Sequence, residues 1–259
     1  MGSANIQGAL WGAAAGDWAT YQESSFLPLW RDALRAVHAQ QGMKILDAGC
    51  GAGGACVEAR EIGCEIVGVD ASSALLDIAR KRLPTAMFNE ADLESLPFGD
   101  SEFDAVIAVN SVLYAADIAQ AMKEIARVTR PEGRVVITNW GKPEDCDVKD
   151  VLDAVVGIFP FKPPRGPFSL SETGKIEGLL REAGLTLVQR GESQCDFTYP
   201  SFDICWRAQR SAGPLQAAMR VIGESNVRDA VEEAVKSHTD PSGGIVLRNT
   251  FIWAAGQQN

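Results

Sequence analysis

Between residues 43 and 140, short apolar runs alternate with stretches whose apolar positions recur every three or four residues, and the two periods predict strands and helices in turn. The strand runs are MKILDA, CEIVGVD, AMFNEAD, FDAVIAV and GRVVITN; the helical stretches run from Gly53 to Ile62, Ser73 to Leu83 and Ile118 to Val128. Strands without polar alternation are buried on both faces, so the pattern predicts right-handed βαβ units on a parallel sheet. After Trp140 the regularity breaks. Pro143, Pro160, Pro163, Pro164 and Pro167, with Phe159, Phe161 and Phe168 among them, predict a loop-rich cap. SLSETGKIEGLLREAGL then predicts a helix with Ser169 or Ser171 as N-cap, Glu172 in its first turn and Gly184 as its stop. TLVQRGESQCDFTY and IVLRNTFIWAAG predict two last strands around a helical insertion from about Phe202 to His238. The Ala- and Gly-rich opening segment is expected to be mobile until something orders it.

With 259 residues, 46% of them apolar, the chain can bury one sizeable α/β core. A single domain is expected: a cap over 1–41, a ligand-binding core over 42–142, and cap segments over 143–170 and 200–240. Lys and Arg number 24 against 34 Asp and Glu, and the net charge of -10 repels a phosphate backbone, so nucleic acid is not the expected partner. No basic start leads into an apolar run, and nowhere do about 18 apolar residues follow one another. A cytoplasmic protein without a membrane partner is expected. The six cysteines form no C-x-x-C pair and the chain has two histidines, so neither a metal site nor a disulfide framework is expected. The thiols read as small buried apolar groups. Helical stripes in the caps leave a homodimer open.

The candidate chemistry starts at Gly49-Cys50-Gly51-Ala52-Gly53-Gly54, between a strand and a helix, a spacing that lets backbone N–H groups approach a ligand closely. Asp47 stands two residues before this turn. Its carboxylate would repel a pyrophosphate and attract the ammonium and sulfonium of S-adenosylmethionine. Asp70 ends the second strand, where an acid can accept both ribose hydroxyls of an adenosine, or else cap the next helix. Asp92, after the third strand, can take the amino group of an adenine beside the backbone N–H of Leu93; a solvated turn is its alternative role.

The blocks ILDAGCGAGG, VGVDAS, ADLESLPF, FDAVIAVNSVLYAAD and ARVTRPEGRVVITNW, in that order, resemble the class I methyltransferase family, in its ubiquinone/menaquinone-biosynthesis-like small-molecule branch. The resemblance covers roughly residues 42 to 140. It implies a Rossmann-like, seven-stranded, mostly parallel α/β sheet of order 3-2-1-4-5-7-6, the seventh strand antiparallel, with helices on both faces. It also implies S-adenosylmethionine as cofactor, with Asp47, Gly49 and Gly51 at its methionine part, Asp70 and Ala71 at the ribose, Asp92 and Leu93 at the adenine, and Asn110 at its middle. Many relatives carry a histidine after the fourth strand, where this chain has Ser111-Val112-Leu113-Tyr114. No base is carried over. Tyr21, Tyr114 and His238 are the candidates, while His38 reads as a surface residue.

The expected acceptor is a small molecule, apolar or aromatic, in a pocket closed by the N-terminal segment, the proline-rich loop and the insertion. Those pieces carry Trp11, Trp18, Phe26, Phe159, Phe161, Phe168, Phe202 and Trp206, rings that equally suit packing the caps onto the domain. Two other readings stay open. One is a member of the fold that binds the cofactor without methylating, and the other, which leaves Asp47 and ADLESLPF without a role, is a nicotinamide-dependent oxidoreductase.

Overall fold

The computed structural model describes residues 2–160 and 166–259, so Phe161, Pro163 and Pro164 lie outside the described residues. The five apolar runs form β1 (Lys44–Ala48), β2 (Glu65–Asp70), β3 (Met87–Glu90), β4 (Phe103–Ala108) and β5 (Thr129–Trp140). Alternate residues of one strand serve opposite faces. Ile45 and Ala105 pack with the helices Leu27–Ala36 and Gly54–Ile62, while Leu46, Val106 and Val135 pack with Ile118–Val128 and Lys175–Glu182. The last of the three core helices, Ile118–Val128, buries Ala121, Met122, Ile125 and Ala126 at helical spacing, and the Asp117 carboxylate accepts from Gln120 N at its start.

β6 (Thr186–Gln194), β7 (Phe197–Tyr199), β8 (Ile245–Leu247) and β9 (Thr250–Gln257) follow. The main sheet has the order β3-β2-β1-β4-β5-β9-β6, with β9 antiparallel to both neighbours, as the motif resemblance implies. What differs is that each of the two expected last strands breaks. Their outer pieces pair as a separate β7-β8 ribbon. Asn249 causes the break: its buried amide donates to Leu247 O at 2.9 Å and accepts from Val148 N at 3.0 Å, so a side chain replaces the ladder bonds there.

Two other expectations need correction. Residues 143–160 are not mainly loop, because Val148–Gly157 is a helix whose Val148, Val151 and Val155 share a buried face. The following core helix starts at Lys175, with Gly174 in the left-handed region at its N-cap and no serine cap. Ser171 instead donates to Trp140 O at 2.9 Å, tying its segment to the end of β5. The opening segment is helical, with a helix over Ala4–Trp11, a π-helical turn over Trp18–Gln22 and a helix over Leu27–Ala36.

That segment is ordered from above by the insertion, whose helices are Phe202–Arg210, Gly213–Ile222 and Glu224–Val235. The Tyr199 hydroxyl donates to Gln22 Oε1 at 2.6 Å and accepts from Gln209 Nε2 at 2.9 Å, all three residues being buried. Arg207 binds Asp17 Oδ1 at 2.7 Å and the Tyr21 hydroxyl at 2.7 Å, and Arg220 donates to Ala9 O at 2.9 Å. All six cysteines are buried and free. No helix among the described residues is long and apolar enough to cross a membrane.

Tyr199→Phe leaves the Gln22 and Gln209 amides without their buried partner, which is expected to destabilise the protein by about 1–3 kcal/mol. Urea denaturation measures it, and an unchanged midpoint would mean that the insertion does not order the cap through this contact.

Candidate functional site

β1, β2 and β4 run parallel and end on the same side, and their carboxyl ends hold a cleft of about 1010 Å³, open mouth included. The turn after β1 is pinned to β2, since Gly49 N and Cys50 N donate to Val69 O at 2.8 and 2.9 Å. Gly49 has φ +89°, and a Cβ there would lie 2.3 Å from the Ser111 Cβ, so only glycine lets the turn pass the segment after β4. Ser111, which follows β4, spends its hydroxyl on Ala48 O at 2.5 Å. It holds the two strand ends together.

Asp70, at the tip of β2, accepts from Gly51 N at 2.9 Å and Ser72 N at 2.8 Å. It fixes the glycine turn, and the helix cap considered for it belongs to Ser72, which accepts from Leu75 N. Burial pushes its carboxyl up in spite of those bonds. Asp92 accepts from Glu94 N at 3.0 Å, and Gly2 sits so close that a Cβ on it would be 1.8 Å from Asp92 Oδ2. Asn110 follows β4 with φ +55°, its N–H on Thr138 Oγ1 at 2.9 Å and its buried Oδ1 without a partner.

Asp47 is buried in β1 and accepts from Cys56 Sγ at 3.2 Å. Burial raises its pKa to about 7; the Cys56 bond opposes this, and the charges of Asp70 and Glu23 add to it. Glu23 comes from the opening segment. It pairs with Arg82, which also donates to Ala52 O at 2.9 Å and Ala19 O at 3.0 Å, so the pair latches the segment onto the glycine turn. Burial raises the Glu23 carboxyl while Arg82 works against it.

The cleft thus brings together Asp47, Gly49, Gly51, Asp70 and Ala71 with Asp92, Leu93 and Asn110. Of the candidate bases it takes only Tyr114, whose phenol burial holds well above the usual range. Tyr21 is taken up by Arg207, and His238 faces Asp147 and Asp150. Trp11, Trp18 and Phe26 line the cleft, joined by Trp30. The described rings of the other caps do not. Trp206 is in the core, Phe168 packs on Trp140, Phe159 packs against the core, and Phe202 lies under Arg228. Sequence reasoning missed Glu23, Trp30 and Ser3, none of which sits in a motif. Among the described residues the lining holds four carboxylates, Glu23, Asp47, Asp70 and Asp92, and no Lys, Arg or His.

Seven strands with the antiparallel one beside β5, a glycine turn after β1 and an acid at the tip of β2 define a Rossmann-like nucleoside-binding domain. Residues 46–137 match the family described as methyltransferase domain. The chain is 32% identical over 155 residues to the O-methyltransferase cnsE of Penicillium expansum, covering 57% of this chain and 54% of that one. It is 35% identical over 156 residues to the methyltransferase GfsG of Streptomyces halstedii, again covering 57% of this chain and 54% of that one. The chain spans about half the length of these curated relatives. The crystal structure of the [4+2]-cyclase SpnF shares the fold, with a TM-score of 0.58 and 23% identity over 88% of this chain and 80% of that one.

Asp47 titrates at 3.8 in an unfolded chain and near 7 in the fold. A raised folded pKa stabilises fully below the lower value, and the gain is lost as pH rises through the upper one. Asp47→Asn is therefore expected to gain on the wild type by about 1.4 kcal/mol per pH unit across that window in ligand-free protein. Urea unfolding at pH 5, 6 and 7 tests this; a constant difference would mean that Asp47 is already charged at pH 5.

Proposed function

We propose that the chain is an S-adenosylmethionine-dependent methyltransferase acting on a small, apolar or aromatic acceptor. One observation carries the reading: a cleft at the strand ends whose described lining residues include four carboxylates and no cation, which suits a ligand that brings positive charge. The donor set fits. Asp70 offers its remaining lone pairs to ribose hydroxyls, Asp92 accepts from an adenine amino group, and the Leu93 backbone N–H supports a ring nitrogen. The unpartnered Asn110 Oδ1 and the Asp47 carboxylate face the ligand's middle and its charge. A pyrophosphate, which the hydride-transfer alternative requires, would meet Asp47 and Glu23 as like charges.

Bound S-adenosylmethionine supplies an electrophilic methyl group with a thioether leaving group. The protein's share is alignment and exclusion of water. Trp11, Phe26 and Trp30 give the acceptor apolar walls. Tyr114 is a hydrogen-bond donor rather than a proton-transfer group at neutral pH, because burial keeps its proton on. The insertion over 200–240 packs on the core and also holds the opening segment 1–41 over the cleft.

Calorimetric titration with S-adenosylmethionine and S-adenosylhomocysteine tests this. Both are expected to bind, and Asp70→Ala and Asp92→Ala each to weaken binding roughly 10- to 100-fold, the range of a hydrogen bond to a charged group. Binding of NADH alone would point to hydride transfer instead. Cofactor binding without methyl release to any of a broad acceptor set would favour the non-methylating alternative.

A further inference from the structure

The side chains that close over Gly51 both come from the opening segment. A Cβ built on Gly51 would stand 3.6 Å from Glu23 Oε1 and 3.7 Å from Trp18 Nε1. An acceptor and a donor thus converge on one bare stretch of glycine backbone. An indole N–H can only donate. That of Trp18 borders the cleft and has no hydrogen-bond partner among the described residues. Glu23 Oε1 takes one long bond from Gly54 N, at 3.3 Å, and keeps lone pairs free, while Oε2 belongs to Arg82. Arg82 is turned to the carbonyls of Ala52 and Ala19 and does not line the cleft. A ligand group with an anion and a cation on neighbouring atoms meets its complement here: the anion at Trp18, the cation at Glu23.

We infer that Trp18 and Glu23 read the amino-acid end of the cofactor, Trp18 Nε1–H donating to the α-carboxylate and Glu23 accepting from the α-ammonium. This rests on the cofactor reading above. It takes Trp18 out of the acceptor wall and makes it a specificity residue for the cofactor, so that the opening segment distinguishes an amino-acid-bearing nucleoside from a bare one. No Lys, Arg or His stands among the described lining residues, and the N–H groups of Gly49, Cys50, Gly51 and Gly54 are already bonded within the protein, so the free indole N–H of Trp18 is a donor left beside the glycine turn to face the carboxylate.

Trp18→Phe keeps an aromatic ring beside Trp11 and Phe26, whose centroids lie 5.0 and 5.8 Å away, and removes the donor together with part of the ring. The probes are S-adenosylhomocysteine and 5′-methylthioadenosine, a thioether nucleoside without the amino acid, titrated by calorimetry alongside a thermal melt of the ligand-free protein. The expected result is a loss of about 10-fold or more for S-adenosylhomocysteine, no change for 5′-methylthioadenosine and an unchanged melt. Equal losses on both ligands, or no loss on the first, would overturn the assignment. A wild type that binds neither compound would remove the cofactor reading, and this inference with it.

Discussion

Negative charge without a counter-ion is the constraint around which the domain is arranged. Asp47 sits inside a strand, away from water, and the charged groups that act on it are two further acids, Asp70 and Glu23. A carboxylate in that position is tolerable only while it holds a proton or faces a cation. The neighbouring architecture serves that condition: Cys56 supplies a weak donor, Asp70 spends its oxygens on the glycine turn, and Arg82 neutralises Glu23 without entering the cleft. The ligand-free state is therefore electrostatically incomplete in a way that a positively charged nucleoside makes good.

The core was legible in sequence because it obeys local rules. Apolar runs such as FDAVIAV have one interpretation when a helix period follows them, and the GCGAGG turn and Asp70 lie within single motifs whose geometry depends on a few adjacent residues. What was not legible depends on contacts between distant segments. Nothing in TLVQRGESQCDFTY announces that Asn249, some fifty positions later, will end the strand by hydrogen-bonding across it. Ser171 looked like a cap because a serine before an amphipathic stretch usually is one, yet β5 offered its hydroxyl a better partner in Trp140 O.

The same division runs through the site. Asp47, Asp70 and Asp92 could be read from position relative to predicted strand tips. Glu23 could not, since it opens the short 3-10 turn Glu23–Phe26 and acquires its place through Arg82, which a sequence pass sees only as one basic residue among others at a helix end. Aromatic composition misled in a similar way. Rings in a cap are drawn to any apolar surface, and most of those in the later segments found the core rather than the cleft.

The helical insertion contributes no residue to the cleft lining, yet it holds the segment that does, through Tyr199, Arg207 and Arg220. Shape is therefore transmitted at second hand. Repacking the insertion against the opening segment would tilt Trp11 and Phe26, and with them Trp18 and Glu23, which adjoin its contacts at Asp17, Tyr21 and Gln22. Residues of 202–235 thus govern the wall of a cleft they do not line, and a substitution there can reshape it without changing any residue that faces it.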